Sequence, residues 1–299
     1  MGLISCSTYK MAEQHLDKKM QRADLELLTL ETDFGDSIEY WDSDHKEKPA
    51  LLLVHGFGAT TKYQWYKQVK MLSKNYRVIA PNLNYFGNTI PGTTNYSVQG
   101  QVEMLERFTQ TLKIDSLTIM GVSYGGLVGI EFAQRNQSVI HQMILFDTPV
   151  KYADSADIEG VKNTFNAASI EDLFVPNEPK DLNKLMELAM GKKYRIPAGF
   201  LKEFHQKSYE YNREDKRALI TSLLADMELY SKREYSFDLP ILLIWGENDQ
   251  VVDVERGKQL ANYLGTNARL EIIENAAHMP NMTHSKRFNQ IVTGFLLLD

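Results

Sequence analysis

The most constraining feature of this chain is a five-residue run, Gly121-Val122-Ser123-Tyr124-Gly125. An apolar stretch, Leu117-Thr118-Ile119-Met120, leads into it, and a helical pattern over residues 127–135 leads out. A serine between two glycines on such a strand-to-helix turn presents its hydroxyl at the carboxyl edge of a sheet. Gly121 and Gly125 let neighbouring chain pass where a Cβ would clash. Gly126 and Gly129 extend the small face, so that the helix can pack close to the sheet.

The rest of the sequence supplies that sheet. Ala50-Leu51-Leu52-Leu53-Val54-His55, Val78-Ile79-Ala80, Met143-Ile144-Leu145-Phe146 and Ile241-Leu242-Leu243-Ile244-Trp245 are short apolar runs, and residues 270–273 close the series. Strands buried on both faces read this way. Helical patterns lie between them, over residues 63–74, 98–112, 254–264 and 285–297. The alternation predicts an α/β fold, a mostly parallel central sheet with helices on both faces. Residues 25–32 and 37–41 read as an edge hairpin, and residues 12–24 as a charged helix that either lies on the core or hangs free. From about 150 to 237 the alternation stops. Helical patches such as 181–190 and 218–230 predict a helical cap inserted after the sixth strand. The expected organisation is an N-terminal leader and helix over 1–24, a core over 25–149 and 238–299, and a cap over 150–237.

Composition excludes some roles. The net charge is -6 with both signs interspersed, and no basic stripe marks a nucleic-acid surface. The single cysteine cannot form an internal disulfide, and no cysteine–histidine cluster suggests a metal site. Neither a cofactor nor a metal is expected. No segment is apolar enough over sufficient length to span a membrane. Leu3-Ile4-Ser5-Cys6 matches the pattern in which a cysteine is lipidated, without the apolar stretch that normally precedes it. A lipid anchor at Cys6 and an incidental cysteine in a leader are the two readings, so membrane-anchored and cytoplasmic locations both stand.

Three further motifs complete a chemical set. His55-Gly56-Phe57-Gly58 follows the strongest early strand. A serine nucleophile generates an oxyanion that needs fixed donors. The backbone N–H groups of Tyr124, at a helix N-terminus, and of Phe57 fit that role. His55 is expected to brace this loop, because a base there would stand on the wrong side of Ser123. Trp245-Gly246-Glu247-Asn248-Asp249 ends a strand, and Asn275-Ala276-Ala277-His278 follows the last one. His278 then serves as the base, and Asp249 orients it. Asp147, Glu247 and Asp253 are rival acids. His284 is a rival base, expected instead to cap the final helix. His15, His45, His141 and His205 read as surface residues or partners of local backbone.

These motifs, from about 25 to 298, resemble the α/β-hydrolase superfamily, specifically its cap-bearing serine esterase and lipase-like members. The order Ser, Asp, His is that family's triad order. Leu3–Cys6 and the charged helix also resemble, less specifically, bacterial lipoprotein-type hydrolases. The resemblance implies hydrolysis of a carboxylic ester of a small hydrophobic acyl substrate. Cleavage of a diketone carbon–carbon bond, a thioester, an amide or a lactone would use the same triad, and a non-catalytic binding protein is a third class. Ser123 argues against haloalkane dehalogenases and epoxide hydrolases, which use aspartate at that position. One departure stands out: relatives often carry Asp-x-x-Gly-x-Gly-x-Ser where this chain has Asn82-Leu83-Asn84-Tyr85-Phe86-Gly87-Asn88-Thr89. The shape of that loop is left open, as is the oligomeric state.

Overall fold

A computed structural model describes residues 7–58, 60–151 and 153–297. Cys6, the candidate lipidation residue, lies outside the described residues. The strands are β1 (Glu26–Glu31), β2 (Ser37–Asp42), β3 (Ala50–Val54), β4 (Arg77–Pro81), β5 (Leu117–Val122), β6 (Ile140–Phe146), β7 (Ile241–Gly246) and β8 (Ala268–Ile273). They form one sheet in the order β1-β2-β4-β3-β5-β6-β7-β8. Pairs β1–β2 and β2–β4 are antiparallel, and the rest are parallel. The mostly parallel sheet read from the sequence is therefore present.

The apolar runs explain the layering. Successive side chains of a strand point to opposite faces. Leu52, Val54 and Leu243 enter one core layer, and Leu51, Leu53, Leu242 and Ile244 enter the other. The helices that cover these faces are α1 (Thr8–Gln21), α2 (Thr61–Trp65), α3 (Val69–Leu72), α4 (Val98–Thr111) and α5 (Ser123–Arg135). After β6 come α6 (Ser155–Thr164), α7 (Ile170–Phe174), α8 (Leu182–Met190), α9 (Ala198–His205), α10 (Arg213–Ala225) and α11 (Met227–Lys232). Helices α12 (Val254–Leu264), α13 (Pro280–Thr283) and α14 (Ser285–Leu296) complete the chain. Residues of α4, α5 and α12 fill the first layer, and residues of α1, α2, α3 and α14 fill the second.

Helices α6 to α11 are the insertion after the sixth strand. Helices α6 to α10 share an apolar cluster that includes Val161, Leu173, Leu188, Leu201 and Ile220, against which Phe57 and Val251 of the core pack, whereas Tyr230 of α11 joins the layer filled by α4, α5 and α12. The insertion thus has its own small core, and that core rests on the carboxyl edge of the sheet. Helix α1 lies on the core: Leu16 and Met20 are buried, and Lys62 of α2 pairs with Glu13 and Asp17. Ser7 caps α1 by accepting from Lys10 N and also donates to Glu203 of α9.

Several local readings need correction. Residues 63–74 are not one helix but α2 and α3. The break falls at Gln68, whose N–H reaches back only three residues to Trp65 O. Its side chain is held elsewhere, donating to Asn281 O and Asn289 Oδ1. Residues 218–230 likewise belong to two helices, parted at Asp226. Strand β1 alternates in sequence but is exposed along nearly its whole length, because it is an edge with no layer over it. His205 is not a surface residue: it is buried in the insertion and faces Pro176 O at 2.9 Å, 29 residues away.

Candidate active site

The turn at residues 121–125 is as tight as its sequence demands. Ser123 sits between β5 and α5 with φ +50°, a left-handed value that costs an ordinary residue about 1 kcal/mol. A Cβ on Gly121 would lie 2.5 Å from Gly125 O, and one on Gly125 would lie 2.2 Å from His55 O. Neither distance is tolerable, so both glycines are obligatory. The second clash also shows how closely the His55 loop lies against the turn. Gly56 also lies against Val122 and Ser123, where a Cβ would meet Val122 O at 3.3 Å. Phe57 N–H and Tyr124 N–H therefore belong to adjoining loops. Tyr124 is in the first turn of α5, where no intrahelical acceptor exists.

His55 is fully buried, and its ring braces the loop. Leu83 N donates to Nε2 at 2.9 Å, which leaves the proton on Nδ1 to donate to Gly56 O at 2.8 Å. Burial pushes its pKa down to about 4. A neutral ring with both nitrogens engaged has no capacity for base catalysis.

In the loops after β7 and β8, Asp249 and His278 meet. His278 Nδ1 lies 2.8 Å from Asp249 Oδ2. The other carboxylate oxygen, Oδ1, accepts from Val251 N at 2.8 Å and Val252 N at 3.1 Å. The Asp249 side chain has no exposed surface, and that of His278 has 7%. The two loops are clasped by backbone: Asn248 N donates to Ala276 O, and a Cβ on Gly246 would lie 2.3 Å from Ala277 O. The small residues before His278 are what allow that approach. No hydrogen bond joins Ser123 Oγ to His278 among the described residues. Such bonds are commonly loose before substrate binds. Ser123, Asp249 and His278 nevertheless lie at the ends of β5, β7 and β8, all parallel and so all at one edge.

The rivals fall elsewhere. Asp253 caps α12 by accepting from Glu255 N, and Glu247 accepts from Asn275 N at the surface. His284 occupies the N-cap position of α14 without a side-chain capping bond, and its Nδ1 faces Thr283 Oγ1 instead. Asp147 lies beside the pair. One oxygen of Asp147, one of Asp249 and one nitrogen of His278 lie within 4.8 Å of one another. These are ligand types for a cation, but both Asp249 oxygens are already committed to hydrogen bonds.

The divergent 82–89 loop is ordered by its own polar set. Asn82 accepts from Thr61 N and donates to Glu39. Tyr85 takes φ +70°, a left-handed value that glycine adopts more readily. Its ring packs against Tyr96 at 4.8 Å, and its carbonyl accepts from Asn212 of the insertion. Tyr209 donates to Gly58 O at 2.7 Å, a contact with no sequence signal. The Val251 and Val252 donors to Asp249 were legible in principle, because an aspartate commonly accepts from N–H groups two and three residues on.

An apolar cavity opens at Ser123, with roughly 750 Å³ of empty space including its mouth. Leu127, Ile158, Val161, Phe174, Leu223 and Met227 are among its walls. The Phe57 ring stands edge-on to Tyr124 at 6.0 Å and to Phe174 at 6.2 Å, joining core to insertion.

A parallel sheet with a strained serine turn at one edge, and a histidine–carboxylate pair at the same edge, defines a hydrolase-type α/β architecture. Residues 49–285 match the family model described as alpha/beta hydrolase fold, and the chain belongs to that family. It is 26% identical over 257 residues to a monoacylglycerol lipase of Bos taurus, covering 83% of this chain and 75% of that protein. It is 24% identical over 289 residues to Lipase 3 of Moraxella sp. (strain TA144), covering 94% and 89%. Among solved structures it is similar to a candidate lipase of Acinetobacter baumannii AYE, with TM-score 0.84, 24% identity, and coverage of 99% and 97%. A meta-cleavage product hydrolase of Pseudomonas fluorescens IP01 shares the fold at TM-score 0.73 and 20% identity, covering 91% and 98%.

Proposed function

We propose that this chain is a serine hydrolase that cleaves carboxylic esters of hydrophobic acyl groups through an acyl-enzyme. The observation that carries the reading is the buried His278–Asp249 pair at the sheet edge where Ser123 stands on its turn, under an apolar cavity. The relatives named as lipases support the same bond type. His278 Nε2 takes the Ser123 proton as Oγ attacks the ester carbon. The N–H groups of Phe57 and Tyr124 receive the oxyanion. His278 returns the proton to the departing alcohol, and water, activated by the same ring, releases the acid. Asp249 fixes the tautomer with Nδ1–H and stabilises the imidazolium. Helices α6 to α11 act as a cap whose apolar side chains hold the acyl chain. The core residues on either side of them supply the chemistry, and the expected boundaries at 150 and 237 mark the change.

The test is hydrolysis of p-nitrophenyl esters of increasing chain length, with Ser123→Ala as control. Turnover that disappears in the variant supports the reading. Turnover that survives Ser123→Ala, or none on any ester, overturns it.

A further inference from the structure

Asp147 is the buried group that this mechanism leaves unused. It directly follows β6, which lies next to β7 in the sheet, and so stands beside the loop that carries Asp249. It is fully buried, and it takes φ +49°, a value an aspartate adopts at some cost. One side-chain oxygen accepts from Gly246 N at 2.8 Å. The other, Oδ2, is buried and finds no donor among the described residues. A buried ionised oxygen without a donor costs several kcal/mol. Asp249 cannot relieve it, since two carboxylates are both acceptors. Asp249 and His278 are the titratable groups that face it. One proton resolves the conflict. Burial and the adjacent Asp249 charge both hold the Asp147 carboxyl well above the ordinary carboxylate range.

On the serine-hydrolase reading above, we propose that Asp147 is a positioning residue: a neutral carboxylic acid whose Oδ2–H donates to the Asp249 carboxylate. The pair then carries one negative charge, and that charge faces His278. The donated bond holds Asp249 in plane with the imidazole and lowers its basicity, so that the proton stays on His278 Nδ1. Asp147 thus acts through Asp249 and touches no reacting atom. Two like carboxylates this close share a proton for the same electrostatic reason wherever they occur.

Asparagine mimics the proposed state, since its Oδ1 can accept from Gly246 N and its Nδ2–H can donate to Asp249. Alanine can do neither. Asp147→Ala is expected to lower kcat by about ten- to hundredfold with KM little changed, the weight of one hydrogen bond to a charged group. Asp147→Asn is expected to recover most of that loss. An Asp147→Asn variant as impaired as the alanine variant would overturn the proposal, because it would mean that the charge, not the donor, matters. The protonation state is read separately from activity. Infrared difference spectra of wild type against Asp147→Asn at neutral pH are expected to show the C=O stretch of a protonated carboxylic acid in the wild type alone. Carboxyl-carbon NMR of aspartate-labelled wild-type protein asks the same without a substitution, and is expected to find one aspartate protonated at neutral pH. No protonated carboxyl by either method sinks the proposal even if ester turnover is high. A protonated Asp147 in a protein that cleaves no ester would fail the hydrolase reading instead.

Discussion

At the carboxyl edge of the sheet each candidate residue is fixed through backbone. Ser123 is held by a turn whose glycines cannot be enlarged, Asp249 by two N–H groups, and His278 by a loop clasped to Gly246. The insertion over the same edge is held by side chains. Tyr209 donates to Gly58 O, Tyr96 to Asp215, Asn212 to Tyr85 O, and Arg256 pairs with Asp154 and Asp157 at the start of α6. Backbone ladders resist displacement, whereas partly exposed ion pairs contribute little. Under the proposed function the difference would separate two jobs: the edge would keep reacting groups in register, and the helical layer would shape what reaches them.

The largest effect expected from this division is at Ser123. Ser123→Ala should lower kcat by about five to six orders of magnitude on every ester, as loss of a triad nucleophile does. Its circular dichroism and melting should stay those of the wild type. Asp249→Asn should cost about four orders of magnitude, again independent of chain length. A loss confined to long esters for either variant would break the division.

His55 sharpens the contrast within the edge itself. His278 faces a carboxylate, but both ring nitrogens of His55 are held by backbone groups, and burial pushes its pKa down to about 4. In the unfolded chain it titrates near 6.5. The unfolded state therefore takes up a proton that the folded state refuses as pH falls from about 6.5 to 4. Stability is full above that window and is lost within it, by up to about 3 kcal/mol. Denaturant titrations across those pH values should show this decline, and His55→Asn should flatten it.

The smallest effect belongs to the helical layer. Leu223→Trp narrows the apolar cavity, and should lower kcat/KM for long acyl chains by about tenfold while the acetyl ester falls much less. Equal losses at all lengths, measured over the same ester series, would mean that this wall serves the chemistry as well.

Much of this was legible because the chemistry sits where local sequence is most restrictive. A strand buried on both faces must be an apolar run, and β3, β5, β6 and β7 are. Ser123 and Asp249 follow such runs, β5 and β7, while His278 follows the edge strand β8, which is mostly not buried, and each is flanked by the small residues that close packing needs. What sequence could not show are consequences of tertiary choice. The break at Gln68 arises from partners more than two hundred residues away, Asn281 and Asn289. His205 looks polar and is buried against a distant carbonyl. Tyr85 at φ +70° hides a glycine-like turn behind an aromatic residue that pays its way by packing on Tyr96. Asp147 was visible as a rival to Asp249. That the two stand side by side follows only from β6 and β7 being neighbours.

The central claim is that Ser123 is a nucleophile activated by His278. Fluorophosphonate labelling followed by peptide mass spectrometry tests it most directly, because the reagent forms a stable adduct with an activated serine whatever the natural substrate is. The account predicts one adduct per chain, on the peptide containing Ser123, forming far more slowly in His278→Ala. An unlabelled Ser123, or labelling at the same rate without His278, would contradict it.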